Sequence, residues 1–321
     1  MEPKHVILAV GILVACLSCE KNPAPTIISM NANPESVFPR DTLILTCEYT
    51  DEGSLSNHFE WLCPFGELYN PNYPTGTTFN WIAPSTPGQY YITLSLDDDE
   101  NITKDSLLVT VLDTLGSFVD PRDNHEYKWV KIGQQIWMAE NLAYLPSVNH
   151  PSMVSVEIPF LYVYSYSGID PNEAKTRENY LLFGTLYNWA AAMTACPRDW
   201  HLPSDEEWKE LELRLGMTLA EIGNYTEKYW RNTGEVGKKL KSDNLEFNGD
   251  NSSGFNALPA GGLSNENNFW NINMYVFFWS SSVGDSEVKG INRYLNNKGD
   301  GVGRLKYSRR YGFSVRCIKD E

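Results

Sequence analysis

Cysteine and histidine are the residue types here best suited to metal, redox or nucleophilic chemistry, and their spacing limits what they can do. The chain has 321 residues, with six cysteines and five histidines. Zinc sites draw Cys and His ligands from closely spaced positions, whereas these histidines are scattered. The sequence also lacks a Gly-rich phosphate loop, an HExxH motif and a GxSxG motif. We therefore expect neither a structural zinc nor a His-based catalytic cluster.

The cysteines instead predict disulfides. Setting aside the two cysteines nearest the N-terminus, four remain, and these allow three pairings. Two lie in each half of the chain, so we expect the bridges Cys47–Cys63 and Cys196–Cys317. Alternation of polar and apolar residues points Cys47 and Cys63 into one hydrophobic core. In an oxidising compartment disulfides are the default state, so this expectation depends on export.

The first 19 residues indicate such an export. Residues 6–15 are almost wholly apolar; they are too few to span a bilayer, which takes about 20 residues, and are typical of a signal peptide. The tetrapeptide ending at Cys16 resembles the lipobox of bacterial lipoproteins, and the segment ending at Cys19 is a second candidate. We expect a lipid anchor at Cys16, or alternatively at Cys19, holding the protein at the outer membrane or cell surface. An ordinary secretory signal is the alternative.

Charge and aromatic content bear on the partner. Asp and Glu number 41 against 26 Lys and Arg, a net charge of −15. Because an acidic surface repels phosphate backbones, we expect no nucleic-acid partner. Aromatic residues make up 13% of the chain, and residues 265–275 combine them with asparagines. The candidate binding residues are Asn268, Trp270, Asn271, Asn273 and Tyr275, with Arg293 further along the chain.

Each candidate also has a structural interpretation. Aromatic side chains are usual in cores, and Arg293, like Arg316, is equally interpretable as a buried arginine paired with a carboxylate. Asp243, Glu246 and Asp250 offer oxygen ligands of the kind that Ca²⁺ takes, although solvated side chains would look the same in sequence. Calcium is the one cofactor that the sequence leaves open; no other is expected.

The elements that must position these residues differ between the two halves. Residues 20–113 contain short alternating strands punctuated by Pro and Gly, which predict an all-β sandwich. Residues 87–98 resemble the PGxYxxxL…D signature of PKD-like and bacterial Ig-like domains, with Trp61 at the position of their core tryptophan. We expect this domain to act as a spacer.

Residues 117–320 predict a second domain of α+β class. Ser204 and Glu207 form a capping box before an amphipathic helix that ends at Gly216. The Ala-rich segment 187–195 favours another helix. The later residues are typical of short strands with Gly and Asn turns.

This second half resembles the Fibrobacter succinogenes major paralogous (FISUMP) domain family. The order and number of matching blocks make the resemblance specific, although residues 147–177 are longer and less regular than the family's usual loop. The blocks are FVDPRD at 118–123, WMAENL at 137–142, FGTLYNWAAAM at 183–193, WHLPSDEEW at 200–208, GFNALPAGG at 254–262 and YGFSVRC at 311–317.

Some of the same blocks resemble, more faintly, formylglycine-generating sulfatase-modifying enzymes. That resemblance implies a C-type-lectin-like fold, in which a cysteine on an early helix bridges to one on the final strand, as Cys196 and Cys317 would. The favoured function is a non-catalytic binding or adhesion module for a glycan or a surface partner. The alternatives are a purely structural display protein, or an enzyme related to formylglycine-generating oxidases. The resemblance to those enzymes implies a copper-binding pair of cysteines. Both cysteines of this half of the chain are assigned to a structural bridge instead.

Overall fold

The computed structural model of this chain divides into two compact units, Met1–Asp113 and Thr114–Glu321. The predicted signal peptide, with Cys16 and Cys19, lies outside the described residues. None of the helices in the described residues is long and apolar enough to cross a membrane. The residues that the structure describes are 22–52, 57–69, 76–226, 231–243 and 247–320.

The first unit consists of two four-stranded sheets. Its strands are β1 (Thr26–Asn33), β2 (Ser36–Val37), β3 (Thr42–Thr50), β4 (His58–Leu62), β5 (Glu67–Tyr69), β6 (Thr78–Ile82), β7 (Gly88–Asp97) and β8 (Ile102–Val111). One sheet has the order β1-β3-β6-β5 and the other the order β2-β8-β7-β4. The short pairing of β2 with β8 is parallel, and the longer pairings of β1 with β3 and of β7 with β8 are antiparallel.

The core of the first unit lies between its two sheets. Strand β3 buries alternate residues Leu43, Leu45 and Cys47, and β7 buries Ile92 and Leu94 in the same way. Successive strand residues point to opposite faces, so this alternation gives each sheet one apolar face. The side chains from both sheets form a single hydrophobic cluster.

The predicted disulfide between Cys47 and Cys63 is wrong, because both are free thiols. Cys47 lies on β3 in one sheet, and Cys63 directly follows β4 in the other. Packed sheets stand about 10 Å apart, whereas the Cβ atoms of a disulfide lie about 4 Å apart. Pointing into one core therefore does not by itself bring two cysteines within bonding distance. Burial raises the pKa of both thiols, that of Cys63 to about 12.

The second unit combines several small sheets with short helices. Its strands are β9 (Leu115–Val119), β10 (Glu126–Ile132), β11 (Gln135–Met138), β12 (Leu161–Tyr162), β13 (Leu186–Tyr187), β14 (Trp200–His201), β15 (Gly262–Leu263), β16 (Phe269–Trp270), β17 (Tyr275–Val283), β18 (Lys289–Asn296), β19 (Gly303–Ser308) and β20 (Ile318–Lys319). Its helices are α1 (Pro171–Lys175), α2 (Glu178–Phe183), α3 (Trp189–Ala192), α4 (Asp205–Arg214), α5 (Leu219–Ile222) and α6 (Val236–Leu240), with a 3-10 turn at Thr233–Glu235.

Two sheets organise this unit. The larger has the order β14-β20-β11-β10-β9, so the last strand of the chain lies inside it. The second sheet is the antiparallel meander β17-β18-β19. Two further pairs, β12 with β13 and β15 with β16, complete the strands. Two large hydrophobic clusters fill the interior of the unit.

The predicted α+β, C-type-lectin-like fold is wrong. Strands make up 39% of the structure and helices 13%, and the strands form several small sheets, so the fold is all-β-like. The Ala-rich segment 187–195 shows the reason. It yields only the four residues of α3, because Tyr187 keeps an extended backbone and pairs with Phe313. Tertiary pairing here overrides helix propensity.

Helix α4 forms as its sequence predicts. The Ser204 hydroxyl accepts a hydrogen bond from the Glu207 backbone N–H at 3.2 Å, and the Glu207 carboxylate accepts one from the Ser204 N–H at 2.6 Å. This reciprocal capping satisfies two amides of the first turn. Trp208 and Leu211 are buried on the inner face of the helix. The capping box and the apolar stripe are both confirmed.

The predicted disulfide between Cys196 and Cys317 is confirmed. Cys196 follows α3, and Cys317 directly precedes β20, so the bridge fixes the end of the chain to the helical segment. The two cysteines are 121 residues apart in sequence, and Cys317 is fully buried. The bridge therefore closes a loop that contains most of the unit.

Arg316, beside this bridge, is fully buried. Its guanidinium donates to the backbone carbonyls of Met138, Phe255 and Asn256 and to the side-chain oxygen of Asn141. Burial lowers the pKa of Arg316 to about 9. Its acceptors are carbonyls and an amide, so this arginine ties together separate loops rather than pairing with a carboxylate.

Candidate functional site

The sheet β17-β18-β19 separates two surfaces of opposite character. In its register Phe277 is opposite Tyr294, which is opposite Gly303. The neighbouring set places Arg293 opposite Arg304. Since side chains alternate along a strand, the first set lies on one face of the sheet and the second on the other. We call the first face, with the rings that pack on it, the aromatic face; it comprises Trp270, Tyr275, Phe277, Tyr294, Tyr307, Tyr311 and Phe313.

The opposite face holds a cluster of buried charges under α4. Arg231 donates to both oxygens of Glu212 at 2.8 Å. Arg293 bridges Glu212, at 2.6 Å, and Asp205, at 2.7 Å. Arg304 binds both oxygens of Asp205, at 2.9 and 2.6 Å. No side chain of this charge cluster is more than 7% exposed.

The charge cluster decides between the two interpretations of Arg293. The residue is fully buried, and its guanidinium is paired with Glu212 and Asp205 inside the domain. Burial alone would raise the pKa of Asp205, but Arg304 and Arg293 hold that pKa well below the usual range. The Asp205 carboxylate is therefore ionised throughout the neutral pH range.

The aromatic face is built around Phe277. Trp270 lies 4.8 Å from it and Phe313 4.9 Å, measured between ring centroids. Tyr294 stacks on Phe277 at 5.8 Å with an angle of 25°, and Tyr307 meets it edge-on at 6.1 Å. Phe277 is buried beneath these rings, whereas Trp270, Tyr294 and Tyr307 are half-buried. The outer rings thus remain accessible over an apolar floor.

Two glycines leave room for rings to pack closely on this sheet. A Cβ atom at Gly303 would overlap the Tyr294 ring, and one at Gly290 would come within 2.6 Å of the Trp189 ring. Both glycines point to the aromatic face in the strand register. The Arg309 guanidinium stacks in turn on Trp189, 3.7 Å from the ring centroid. Glycine at these two positions therefore lets the rings pack directly on the backbone of the sheet.

Tyr294, Tyr307 and Tyr311 of the aromatic face are neutral hydrogen-bonding groups. Burial raises the pKa of Tyr294 to about 12, and it also raises the pKa of Tyr307 and Tyr311. Within the described ranges, the hydroxyls of Tyr275, Tyr307 and Tyr311 make no hydrogen bond to another side chain or to the backbone. Each hydroxyl can therefore both donate to and accept from a ligand.

The asparagines predicted from sequence shape the rim of this face. Asn271 and Asn273 adopt left-handed backbone conformations, with φ of 60° and 62°. The Asn271 carbonyl accepts hydrogen bonds from Met274 and Tyr275, which closes the turn into β17. The Asn268 carbonyl accepts the Ser264 backbone N–H, and the Asn268 N–H donates to the Ser264 hydroxyl, which closes the hairpin β15-β16. Asparagine tolerates such conformations better than most residues, so these positions form turns.

Of the predicted binding residues, the structure therefore brings Trp270 and Tyr275 together on the aromatic face. Sequence reasoning missed Tyr294, Tyr307 and Tyr311. The period-two pattern of β18 carried a signal for Tyr294, because Asn292, Tyr294 and Asn296 are polar or aromatic residues at alternate positions of a strand. Nothing in the sequence showed that Tyr307 and Tyr311 would meet Trp270.

Of the predicted calcium ligands, the structure describes Asp243 and Asp250, and these two form no recognisable metal site among the described residues. Asp243 is exposed, and the Asp250 carboxylate accepts the Ser252 backbone N–H at 2.9 Å. Glu246 lies outside the described residues. Across the described ranges no group of three or more His, Cys, Asp or Glu side chains is placed to hold a metal ion. Calcium binding stays a prediction.

A second polar cluster surrounds His201, next to a small cavity of about 190 Å³. His201 Nδ1 lies 2.6 Å from Asp320 and Nε2 lies 2.7 Å from Glu207. Although burial opposes it, the hydrogen bonds to Asp320 and Glu207 raise the pKa of His201. Both ring nitrogens are engaged, so the imidazole joins α4 to the C-terminal strand rather than facing a ligand.

We expect His201→Gln to reduce the stability of the chain at pH values below the usual histidine pKa and to have little effect well above the raised pKa of the folded state. A raised pKa in the folded state adds stability that is present below about pH 6.5 and is lost as pH rises through the folded value. The side chains are 29% to 52% exposed, so solvent screening limits the effect to about 1 kcal/mol. Urea unfolding at about pH 5.5 and about pH 8.5, on either side of 6.5, measures it.

His125 provides the control for this prediction, because Glu140 raises its pKa in the same way. The His201→Gln chain should keep the part of the pH slope that His125 contributes. An unchanged slope in His201→Gln would contradict the assignment.

Fold and site together define a strand-rich, disulfide-bridged domain that carries a broad, half-buried aromatic surface. The family model described as the Fibrobacter succinogenes major domain matches residues 130–319, more than half of the chain. The chain belongs to this family, and the resemblance of its second half is confirmed. The match covers the charge cluster and the aromatic face.

Other comparisons add little. A search of curated protein sequences finds no match. Among solved structures, the adhesin InvE of Yersinia pseudotuberculosis is similar at 12% identity, over 90% of this chain and 96% of that chain. The TM-score is 0.23, which is too low to establish a common fold.

Proposed function

We propose that this chain is a non-catalytic binding module and that its ligand lies on the aromatic face of β17-β18-β19. The observation that carries the proposal is the set of half-buried rings around Trp270. Aromatic side chains are the commonest anchors of binding surfaces, because they contribute large apolar area with few rotatable bonds. Here they stay accessible, although the sheet beneath them is already packed.

The two faces of the sheet have different roles in this proposal: the aromatic face binds the ligand, and the reverse face packs inside the domain. The charge cluster joins α4 to the reverse face of the sheet, and none of its side chains lies on the aromatic face. Sites on rigid elements keep their geometry better than sites on loops. The aromatic face can therefore bind without reorganisation of the sheet.

Binding of the full-length chain to bacterial envelope fragments, with and without Ca²⁺, tests the proposal. We expect saturable binding that the double variant Trp270→Ala/Tyr311→Ala weakens by about tenfold or more, the loss typical of a central anchor. Arg310→Ala, an exposed residue next to Tyr311, is the matched control and should bind normally. Equal binding by the double variant and this control would reject the aromatic face, and no binding at all would favour a purely structural display protein.

We further propose that the protein acts outside the cytoplasm, held by a lipid on Cys16 or Cys19. The apolar segment 6–15 and the lipobox-like sequence after it support this. The disulfide between Cys196 and Cys317 is consistent with an oxidising compartment, where such bonds persist.

Metabolic labelling with a fatty acid distinguishes the two anchor residues. We expect Cys16→Ala to abolish labelling and membrane retention, and Cys19→Ala to leave both intact, because Cys16 directly ends the apolar segment. The reverse result would assign the anchor to Cys19. Labelling of neither the wild type nor the variants would overturn the lipid anchor.

A further inference from the structure

The aromatic face contains unpaired polar atoms as well as rings. Trp270 Nε1, Asn292 Oδ1 and Arg309 Nε are buried and have no hydrogen-bond partner among the described residues. Asn292 lies on the same face of β18 as Tyr294, and Arg309 stacks on Trp189 at its edge. An unpaired buried polar group destabilises a protein, because it has lost its hydrogen bonds to water and gained none in exchange. A ligand that pairs with such atoms, after a small shift of the side chains that cover them, recovers that cost.

These atoms define what the ligand must offer. Trp270 and Arg309 supply N–H donors, Asn292 supplies an acceptor, and the hydroxyls of Tyr275, Tyr307 and Tyr311 can do either. A ligand that satisfies them needs groups that donate and accept at many positions. Hydroxyl groups meet that requirement, whereas a purely apolar ligand would leave every one of these atoms unpaired.

The rings define the remainder of the ligand. Tyr294 packs against Gly303 and is only half-buried, so part of its ring is open to a ligand. The face of an aromatic ring is negative and attracts groups with a positive edge, which includes the C–H faces of a sugar ring. The ligand should therefore have apolar C–H faces alternating with hydroxyl edges.

The net charge of the chain and the length of the aromatic face further restrict the class of ligand. The chain has a net charge of −15, which repels polyanions. Tyr307 is opposite Gly290, four residues along β18 from Tyr294, which separates these positions by roughly 13 Å along the strand. An extended ligand fits this length better than a single ring does.

We infer that the aromatic face binds a neutral oligosaccharide or polysaccharide, with sugar rings stacked on Trp270, Tyr294 and Tyr307 and hydroxyls bonded to the unpaired polar atoms. The inference rests on the proposed function and names the ligand class of the same site. It requires no metal ion, because each recognised group is a hydroxyl or a C–H face.

Affinity electrophoresis of the full-length chain in gels containing one polysaccharide at a time tests the inference. The neutral probes are hydroxyethylcellulose, galactomannan and dextran, and polygalacturonate is the anionic probe. We expect retardation by at least one neutral probe and none by polygalacturonate. Trp270→Ala and Tyr307→Ala should each weaken the retardation by about tenfold, the loss expected of an anchor residue.

Two variants make the test specific. Tyr307→Phe keeps the ring and removes the hydroxyl, so it should lose less affinity than Tyr307→Ala. Tyr91→Ala removes a tyrosine that is 65% exposed on β7, and it should bind as the wild type does. Circular dichroism confirms that each variant is folded before its binding is compared.

The outcomes separate the inference from the proposed function. If envelope fragments bind through Trp270 but no neutral polysaccharide does, the binding module stands and the carbohydrate ligand is overturned in favour of a protein partner. If only polygalacturonate binds, the neutral class is overturned. If a polysaccharide binds equally to Trp270→Ala and Tyr91→Ala, its site is not the aromatic face. If nothing binds, both proposals fail.

Discussion

Replacing Cys196 and Cys317 by alanine is expected to lower the free energy of unfolding of the second unit by about 4 to 5 kcal/mol, the loss that the chain-entropy model assigns to a closed loop of this length. The bridge closes a loop of 121 residues, which holds most of the unit. Opening it lets the unfolded chain explore many more conformations, while the folded core loses one buried contact. Measured losses often fall below this model, so the value is an upper range.

Denaturant unfolding of the full-length chain measures this loss, with and without dithiothreitol. The wild type should lose stability on reduction, and the Cys196→Ala/Cys317→Ala chain should not respond to the reductant. Cys47→Ala/Cys63→Ala is the matched control, because those thiols are free in the first unit and close no loop. A wild type that is equally stable with and without reductant would show that the bridge contributes nothing.

The contrast between the two cysteine pairs shows how far sequence reasoning reaches. Both pairs were expected from their placement in the two halves, and only Cys196–Cys317 forms. The alternating pattern of β3 correctly buries Cys47, because a strand's period is a local property. The distance from Cys47 to Cys63 depends on how two sheets pack, which no local pattern records.

Local signals succeeded elsewhere for the same reason. The capping box of Ser204 and Glu207 lies within four residues, so the start of α4 was predictable. The fold class failed, because it depends on the many short strands that pair over long sequence separations, such as Tyr187 with Phe313. A strand of only two residues is too short to show a period-two pattern in the sequence.

In the candidate site, too, local patterns were predictable from the sequence and long-range packing was not. Trp270 and Tyr275 were identified from an aromatic and asparagine-rich stretch, and both lie on the aromatic face. Arg293 was included with them but lies on the reverse face of the same sheet, where it is fully buried. Arg293 and Tyr294 are consecutive residues of β18, and because side chains alternate along a strand they lie on opposite faces of the sheet. The register of the sheet decides which of the two can meet a ligand.

Replacing Arg293 by methionine is expected to destabilise the second unit by about 3 to 5 kcal/mol, the cost of breaking a buried ion pair from one side. Arg293 donates to Glu212 at 2.6 Å and to Asp205 at 2.7 Å, and all three side chains are nearly inaccessible. Methionine matches the length and packing of the aliphatic part of arginine but supplies no donor. Two buried carboxylates would each lose a charged partner.

Urea unfolding measures this loss, and Arg310→Met is the matched control, because the same change at an exposed position should cost less than about 0.5 kcal/mol. Acid should narrow the difference between Arg293→Met and the wild type. The pKa of Asp205 is held low by Arg304 and Arg293, so the stability it adds is present above the usual aspartate pKa and is lost as pH falls through the folded value. A cost for Arg293→Met no larger than that for Arg310→Met would contradict a structural role.

The same variant separates support of the sheet from contact with the ligand. Under conditions where Arg293→Met is still folded, the aromatic face keeps Trp270, Tyr294 and Tyr307 on the opposite side of the strands. Its affinity for envelope fragments should therefore match that of the wild type, although its unfolding midpoint falls. Trp270→Ala should show the opposite behaviour, with affinity reduced and the midpoint nearly kept, because its ring is only half-buried. Loss of affinity in a folded Arg293→Met chain would instead mean that the charge cluster positions the strands beneath the ligand.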